Sequence, residues 1–230
     1  MVTSPGPGRP RHTGPLRPGA TGREQILDAA AELFTTHGYA RTSTRAIAEA
    51  VGIRQASLYH HFRTKDDVLE ALLTSTVTPT LPVAHAVLRV PAGDAEHAAA
   101  RLYALALHDG RELCRTRWNL GALYLLPELR APRFVPFQTA RERLRQCYVR
   151  AGADVVARTG GPSQAGDLAF RLVESLVNLR ADGRATADSP AQVAEGCVRL
   201  ACWSGDVTPV ARSGEEMLRD ISAALLVPAG

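Results

Sequence analysis

The chain is 230 residues long, 45% of its residues are hydrophobic and 5% are aromatic, and its formal net charge is +4. This composition is typical of a helical globular protein and excludes a disordered or disulfide-stapled chain. No run of eighteen apolar residues predicts a membrane span, and no apolar signal core follows the basic N-terminus. We therefore expect a cytoplasmic protein with no membrane partner. The length allows one large or two modest domains, and we expect two.

The four cysteines are scattered and form no CxxC pair: Cys114, Cys147, Cys197 and Cys202. This spacing favours buried, reduced thiols over disulfides and gives no zinc-binding pattern. We therefore expect no metal ion and no other cofactor.

The N-terminal stretch contains basic residues without any acidic partner, and its Arg9, Arg11 and Arg17 lie among many prolines and glycines. A segment of this composition cannot bury enough apolar surface to fold, so residues 1–21 are predicted to be a disordered basic arm. Two interpretations remain open: a solvated tail, or an arm that adds attraction to phosphate groups.

The first ordered element is predicted in the stretch TGREQILDAAAELFTTHGY. Thr21 and Glu24 have the spacing of a capping box, in which each side chain satisfies a free amide of the first turn. The apolar residues that follow recur at helical spacing, and Gly38 supplies a stop. A helix over about residues 22–37 is therefore predicted.

Two shorter helices are predicted next. Hydroxyl side chains at 42–44 are candidate caps for an apolar stripe that ends at Gly52. Leu58 and Phe62 lie four residues apart and hence on one face of a following helix. A helix, a glycine-containing turn and a short helix together form the helix-turn-helix pattern.

The outer face of the third helix has an unusual composition. If Leu58 points inward, steps of 100° per residue place Phe62 beside it and leave a small, polar and aromatic face opposite. That face consists of Ala56, Ser57, Tyr59 and His60. Gln55, in the first turn, can pair with adenine through two hydrogen bonds, and Arg45 and Arg54 are placed to meet a phosphate or a guanine.

Positive charge is concentrated in the same region. Residues 41–65 contain five basic residues and one acidic residue, Glu49, whereas the flanking stretches are acidic. This distribution is the electrostatic footprint of a nucleic-acid-binding surface. The alternative is an ordinary helical pair with a solvated face, but such faces usually carry Glu, Lys and Ala rather than aromatic rings.

A specific set of spacings runs through ILDAAAELFTTHGYARTSTRAIAEAVGIRQASLYHHFRTKDDVLEALL, at Ala29, Phe34, Gly38, Ile47, Ala48, Gly52, Leu58, Tyr59, His61, Phe62 and Lys65. With these residues the run resembles the DNA-binding domain of TetR-type transcriptional regulators, over less than a quarter of the chain. The resemblance implies a homodimer whose two recognition helices enter successive major grooves of a near-palindromic double-stranded DNA operator.

The resemblance also implies roles for single residues. Ser43, Thr44 and Tyr59 match phosphate-contacting positions, and Lys65 matches the residue that anchors a phosphate beside a helix N-terminus. The base-reading positions are matched by Arg45, Gln55, Ala56 and His60. Ala56 departs from the family, which often has glycine or proline there, and leaves contact with a thymine methyl open. The full predicted DNA-binding set is Ser43, Thr44, Arg45, Arg54, Gln55, Ala56, Ser57, Tyr59, His60 and Lys65.

The rest of the chain predicts a second helical domain. A fourth helix begins after Thr64 and joins the two domains near residue 75. Beyond it, helical periods alternate with glycine and proline, and no strand pattern appears. The candidate helices cover 94–110, 111–126, 131–159, 163–183, 189–203 and 213–227. We therefore expect an all-α fold, with an N-terminal helix-turn-helix domain (22–75) and a larger C-terminal helical domain (76–230).

The resemblance implies that the second domain binds an unidentified small-molecule effector and forms the dimer. Candidate pocket residues are polar or aromatic groups set among leucines: Tyr103, His108, Trp118, Asn119, Tyr124, Phe134 and Phe137. Plain core packing is the alternative for each of them. A wide apolar arc predicts that the helix at 163–183 and the helix near 190–203 form the dimer interface, with burial inside one monomer as the alternative.

The predicted function is that of a TetR-type transcriptional regulator, a repressor released from its operator by a small molecule. One alternative is an enzyme joined to a DNA-binding domain, but no GxSxG, HExxH, P-loop or Rossmann motif supports it, and we expect no enzymatic activity. Another is an architectural DNA-binding protein that responds to no ligand.

Overall fold

The computed structural model describes residues 17–226. This range contains α-helices and short 3-10 helices and no β-strand, which confirms the all-α prediction. The helices are α1 (Gly22–Thr36), α2 (Thr44–Val51), α3 (Gln55–Tyr59), α4 (Lys65–Val77), α5 (Thr80–Arg89), α6 (Ala95–Arg115), α7 (Val135–Thr159), α8 (Ala165–Glu174), α9 (Leu176–Ala181), α10 (Ser189–Leu200) and α11 (Val207–Leu226). Three 3-10 helices, Leu120–Leu125, Pro127–Arg130 and Pro132–Phe134, lie in residues 116–134, which we call the linking segment.

Three of the first four helices, α1, α2 and α4, begin where a side chain satisfies free amides of the first turn. Thr21 and Glu24 form the predicted capping box at α1, and Thr64 forms a second one with Asp67 at α4. Ser43 caps α2 by accepting a backbone amide of its first turn. Each cap is worth about 1 kcal/mol, so the positions of these helices follow from local sequence.

The first two arginines of the predicted basic arm lie outside the described residues, but Arg17 belongs to the folded domain. Its guanidinium lies 3.1 Å from Asp28 and 2.6 Å from Glu32, both on α1. It also donates a hydrogen bond to the carbonyl of Ala50 on α2. The assignment of Arg17 to a disordered arm is therefore wrong, because two carboxylates and a helix end hold its side chain.

Helix α4 belongs to the cores of both halves of the molecule. It packs against α1 on one side and against α7 and the linking segment on the other. Together with α5 it covers Lys65–Arg89, which by length and composition alone could cross a membrane. Leu69 and Leu73 in this stretch are 0% exposed inside the bundle, so core packing explains the apolar composition.

Helix α6 runs through Gly110, although the sequence analysis divides the region there into two helices. A Cβ at Gly110 would lie 2.9 Å from Leu176 Cδ1 and 3.3 Å from Pro190 Cβ. The glycine therefore lets α9 and α10 approach α6 closely and does not end the helix. Beyond α6 the chain forms 3-10 turns, so the predicted helix over 111–126 is wrong.

Two further differences concern helix boundaries in the second domain. Pro79 and Pro82 lie at the start of α5, which the sequence analysis omits. Prolines are tolerated there because amides of a first turn have no acceptor within the helix. The predicted helix over 163–183 divides into α8 and α9 at Ser175, whose hydroxyl donates to the carbonyl of Leu172 at 2.6 Å.

The thiols differ in exposure. Cys147 and Cys197 are buried and Cys114 is half-buried, but Cys202 is exposed. The prediction of buried thiols is therefore wrong for Cys202, which follows the end of α10 in a left-handed conformation with φ of 59°.

Arg133, at the end of the linking segment, ties the second domain to the start of α4. Its guanidinium lies 2.5 Å from Asp67, 3.4 Å from Asp66 and 3.5 Å from Glu70. Partial burial acts to raise the pKa of Asp67, but hydrogen bonds from Arg133 and Thr64 outweigh burial and lower that pKa below its usual value. One cation thus contacts three carboxylates at the N-terminal end of α4 and offsets part of their mutual repulsion.

We expect Arg133→Gln to lower the free energy of unfolding by about 1 kcal/mol, since solvent screens this partly exposed network. The ionised form of Asp67 is the stabilised form. The cost should therefore be present above about pH 4 and disappear as the pH falls through the lowered pKa of Asp67. Urea unfolding at several pH values measures both effects. Arg130→Gln, at an exposed arginine of the same segment, is the matched control, and an equal loss in both variants would contradict the role of Arg133.

Candidate nucleic-acid interface and internal cavity

Helix α3 has one face in the core and the other face open. Leu58 is 0% exposed and Phe62 is 5% exposed, so the predicted burial of both anchors is confirmed. Tyr59 is 45% exposed and His60 is also exposed. A helix of five residues is not stable alone. The packing of the two anchors therefore fixes the direction in which the outer face points.

Three predicted contact residues on α2 and α3 bind one another. Gln55 Nε2 donates to Thr44 Oγ1 at 3.0 Å and to the Tyr59 hydroxyl at 3.2 Å. The hydroxyls of Thr44 and Tyr59 also lie 3.2 Å apart. This network orders the three side chains in the free protein, and Gln55 has to exchange one of these bonds in order to donate to a base edge.

The remaining predicted contacts on α2 and α3 are accessible. Arg45 lies 2.8 Å from Glu49 in an exposed ion pair, which is weak enough to be exchanged for a phosphate or a base. Arg54, Ala56 and Ser57 are all exposed. Solvent therefore reaches each of these side chains, as a groove-facing surface requires.

Lys65, the only lysine in the chain, is fixed at the N-terminus of α4. Its Nζ donates to the carbonyl of Tyr39 at 2.8 Å and lies 4.1 Å from the centre of the Tyr39 ring. The Tyr39 hydroxyl in turn donates to Asp66, and burial together with this contact raises the pKa of Tyr39. A fixed ammonium beside free helix amides is a suitable site for one phosphate.

In the second domain the structure brings two predicted pocket residues together. Tyr124 and Phe137 have ring centres 5.6 Å apart. Both line a surface groove of about 400 Å³ between the linking segment and α7. We call it the outer groove; its other lining residues include Leu125, Leu129, Arg141 and Glu142. Leu125 is 90% exposed, and the polar side chains of Arg130 and Gln138 also line the groove, so its surface is mixed.

Two other predicted pocket residues hold elements together. The Trp118 indole donates to Asp28 on α1 at 2.9 Å, and Asn119 Nδ2 donates to the carbonyl of Val177 on α9 at 2.8 Å. Both residues lie near the start of the linking segment. They therefore attach this segment to the first domain and to α9.

The last three predicted pocket residues lie away from the outer groove. Tyr103 is 2% exposed and faces Gly214 on α11, and Phe134 is 1% exposed. His108 is half-buried on α6, and burial lowers its pKa. Tyr103 and Phe134 act as core residues, which is the alternative that the sequence left open.

A second cavity lies on the inner side of Tyr124, and the sequence analysis missed its central residue. Asp109 on α6 is 4% exposed, and the Tyr148 hydroxyl donates to its Oδ2 at 2.8 Å. Burial raises the pKa of Asp109 to about 7, although the hydrogen bond from Tyr148 acts to lower it. We call this space of about 10 Å³ the inner cavity; its lining is Thr76, Val77, Asp109, Leu113, Tyr124, Arg141, Leu144, Phe170 and Glu174.

Asp109 escaped the sequence analysis because of the residue that follows it. The sequence predicts a helix end at Gly110, and an aspartate at a solvated helix end needs no explanation. In the continuous helix α6 the same aspartate lies at the end of the run LYALALHDG, in which every residue except His108 is buried. An acid within such a run is the signal that could have identified it.

Sequence comparison matches the first domain to regulators. A family profile described as bacterial regulatory proteins of the tetR family matches residues 26–72. The transcriptional repressor KstR2 of Rhodococcus jostii is 45% identical over 51 residues, which cover 22% of this chain and 25% of that protein. The chain thus spans about a quarter of the length of the curated relatives it matches.

Two solved structures match over most of the chain. Mycobacterium smegmatis AmtR is 53% identical with a TM-score of 0.84, over 90% of this chain and 98% of that chain. AibR, solved in complex with isovaleryl coenzyme A and operator DNA, is 22% identical with a TM-score of 0.60, over 76% of this chain and 95% of that chain. The likeness to AibR concerns the fold alone. Because a relative with more than half of its residues identical is covered almost end to end, the chain belongs to the TetR family of bacterial regulatory proteins.

Proposed function

We propose that the chain is a transcriptional repressor that binds operator DNA as a homodimer and is released when a small molecule occupies the second domain. The observation that carries the proposal is the open face of α3, which two buried anchors, Leu58 and Phe62, hold outward. Membership of this family supports a role as a transcriptional regulator. We propose that the chain has no enzymatic activity.

In this proposal α3 enters the major groove. Gln55 pairs with an adenine edge, and Arg45 leaves Glu49 to meet a guanine or a phosphate. Tyr59 and Lys65 bind phosphates and set the register of the helix on the duplex. AibR, a protein of the same fold, has been solved with operator DNA, which supports this mode of use.

Two copies are needed to read a near-palindromic site, with recognition helices about 34–36 Å apart. We infer that the dimer forms through the outer faces of α8 and α10. Leu168 on α8 is 46% exposed and Leu172 is partly buried, and a Cβ at Gly196 on α10 would lie 3.0 Å from Leu172 Cδ2. Helices α8 and α10 pack closely, and α8 exposes Leu168 on their outer face. This face can therefore pack against the same two helices of a second copy.

Release follows from the position of α4. Its first turn holds Lys65, and its last turn, with Thr76 and Val77, lines the inner cavity. A ligand that favours a different position of α4 therefore changes the spacing of the two recognition helices. A tenfold loss of DNA affinity needs a differential binding energy of about 1.4 kcal/mol.

We expect Gln55→Ala to relax base preference at one position of each half-site, at a cost of about 1–3 kcal/mol on the preferred sequence. Lys65→Ala should lower the affinity for all sequences by a similar factor, because a phosphate contact carries no sequence information. Selection from a random duplex library, followed by fluorescence anisotropy on selected and scrambled duplexes, measures both. Uniform weakening by Gln55→Ala would show that the roles are assigned wrongly.

The DNA affinity should also depend steeply on salt. The logarithm of the binding constant should fall linearly with the logarithm of salt concentration, by about 0.9 for each phosphate neutralised. Lys65→Ala should make the slope shallower by about one unit per subunit. Titrations between about 50 and 200 mM salt test this. Arg143→Ala, which removes an exposed arginine on α7, should leave the slope unchanged.

Leu168→Glu should convert the dimer into a monomer, because it places a charge in an apolar contact between two copies. Sedimentation equilibrium at micromolar concentration measures the mass directly. Leu125→Glu makes the same substitution at a leucine that is 90% exposed on the linking segment and should leave the dimer intact. A wild-type monomer, or dissociation by the control alone, would exclude the α8–α10 interface.

A further inference from the structure

The end of α2 is closed by a residue that precedes α1 in the chain. The Ala50 carbonyl lies in the last turn of α2, and no backbone amide in residues 17–226 donates to it. Arg17 Nε donates to this carbonyl at 2.8 Å. A guanidinium at a helix C-terminus satisfies a free carbonyl and interacts favourably with the helix dipole. Arg17 therefore fixes the point at which the chain leaves α2 for α3.

The same guanidinium is held on α1 by two carboxylates. It lies 3.1 Å from Asp28 and 2.6 Å from Glu32, and the Arg17 side chain is only 16% exposed. To bind a phosphate, it would have to leave two partly buried carboxylates without a cation, which is costly. Arg17 therefore joins α1 to the end of α2 and does not extend the exposed basic surface.

Asp28 continues this connection into the second domain. Its Oδ2 accepts a hydrogen bond from Arg17, and its Oδ1 accepts one from the Trp118 indole at 2.9 Å. The two donors use different oxygens of one carboxylate, so a single orientation of Asp28 satisfies both. The end of α2 and the start of the linking segment are thus held by the same side chain.

Two routes therefore connect α3 to the second domain. One is α4, which follows α3 in the chain and packs against α7 and the linking segment. The other runs from the end of α2 through Arg17 and Asp28 to Trp118. Two separate attachments resist a rotation of the α2–α3 pair that a single attachment would allow.

We propose that Arg17 is a positioning residue for DNA recognition: it closes α2 and, with Asp28, fixes the α2–α3 pair relative to Trp118 of the second domain. This inference rests on the proposed function, since it concerns how a dimer presents two recognition helices to one operator. Once one half-site is bound, the affinity for the other depends on how closely the second helix is held at the required position. The connection through Asp28 therefore favours binding to a complete operator over binding to one half-site.

Trp118→Phe tests the end of the connection that lies in the second domain. It removes the indole N–H but keeps an aromatic ring, so it frees Asp28 from the linking segment and leaves α2 capped. We expect the affinity for a complete operator to fall on the order of tenfold, and the affinity for a duplex with one scrambled half-site to stay within about twofold. Fluorescence anisotropy on the two duplexes measures both.

Trp203→Phe is the matched control for this substitution. It also removes an indole donor, which is bonded to the carbonyl of Asp206 at 3.2 Å in its own loop. This variant should change neither affinity.

Arg17→Gln acts on both ends of the connection. It should lower the affinity for both duplexes, and more for the complete operator. The slope of affinity against salt should stay unchanged, because the Arg17 guanidinium neutralises carboxylates and no phosphate. Arg41→Gln is the matched control: Arg41 is exposed and closes the end of α1 by donating to the carbonyl of His37 at 2.8 Å. It should leave the ratio of the two affinities unchanged.

A measurement without DNA tests the connection itself. The chain contains two tryptophans, so in a Trp203→Phe background the fluorescence comes from Trp118 alone. Arg17→Gln should raise the rate constant for acrylamide quenching of this fluorescence, because Asp28 loses the partner that orients it toward the indole. Arg41→Gln should leave the rate constant unchanged. If Arg17→Gln fails to fold, the comparison of Trp118→Phe with Trp203→Phe still decides the proposal.

Four results would overturn the proposal. They are an equal loss on both duplexes with Trp118→Phe, the same loss with Trp203→Phe, a salt slope that Arg17→Gln makes shallower by about one unit per subunit, and Trp118 quenching that Arg17→Gln does not change. A wild-type chain that binds no duplex from the library is a different result. It contradicts the proposed function itself, and this role of Arg17 with it, before any variant is compared.

Discussion

The packing of α4 on both sides is the constraint on which the rest of the molecule depends. Its 13 residues span about 20 Å, and its buried leucines face α1 on one side and α7 with the linking segment on the other. A helix held in this way moves as a rigid body. Lys65 at one end and Thr76 at the other therefore cannot change position independently, so the proposed phosphate site and the internal cavity are joined by one rigid helix.

The linking segment determines how freely that element can move. It contacts the first domain at two places, through Trp118 to Asp28 and through Arg133 to the acids of α4. It also forms walls of both cavities through Tyr124. Its 3-10 turns have poorer hydrogen-bond geometry than an α-helix. The segment that joins the cavities to the first domain is therefore held by its side-chain contacts more than by its own backbone hydrogen bonds.

Sequence predicted the first domain well because local rules decide its structure. Caps at Thr21 and Ser43, the stop at Gly52 and the spacing of Leu58 and Phe62 act within a few residues of one another. The second domain depends on packing between distant residues. Gly110 shows the difference: the same residue ends a helix or allows close approach of another, and only the position of Leu176 decides which.

The candidate pocket shows the same limit more strongly. An aromatic residue among leucines is the composition of a cavity wall and of a packed core alike. Tyr124 and Phe137 meet at the outer groove, whereas Tyr103 and Phe134 are buried in packing. The sequence analysis does not identify Asp109, because the burial of this side chain depends on whether α6 continues past it. Burial, which local sequence does not determine, turns an ordinary acid into a group with a pKa near 7.

A cavity this small makes binding and movement a single event. Its present volume of about 10 Å³ admits no organic molecule, so an occupant must displace Tyr124, Arg141 or the α4 wall. Displacing the two side chains breaks the contact of Arg141 with Glu174, but Glu174 keeps its ion pair with Arg171 at 3.0 Å. The wall of the cavity also includes Thr76 and Val77 of the last turn of α4. An occupant of this cavity therefore has to move side chains that pack against α4, which couples the cavity to the position of that helix.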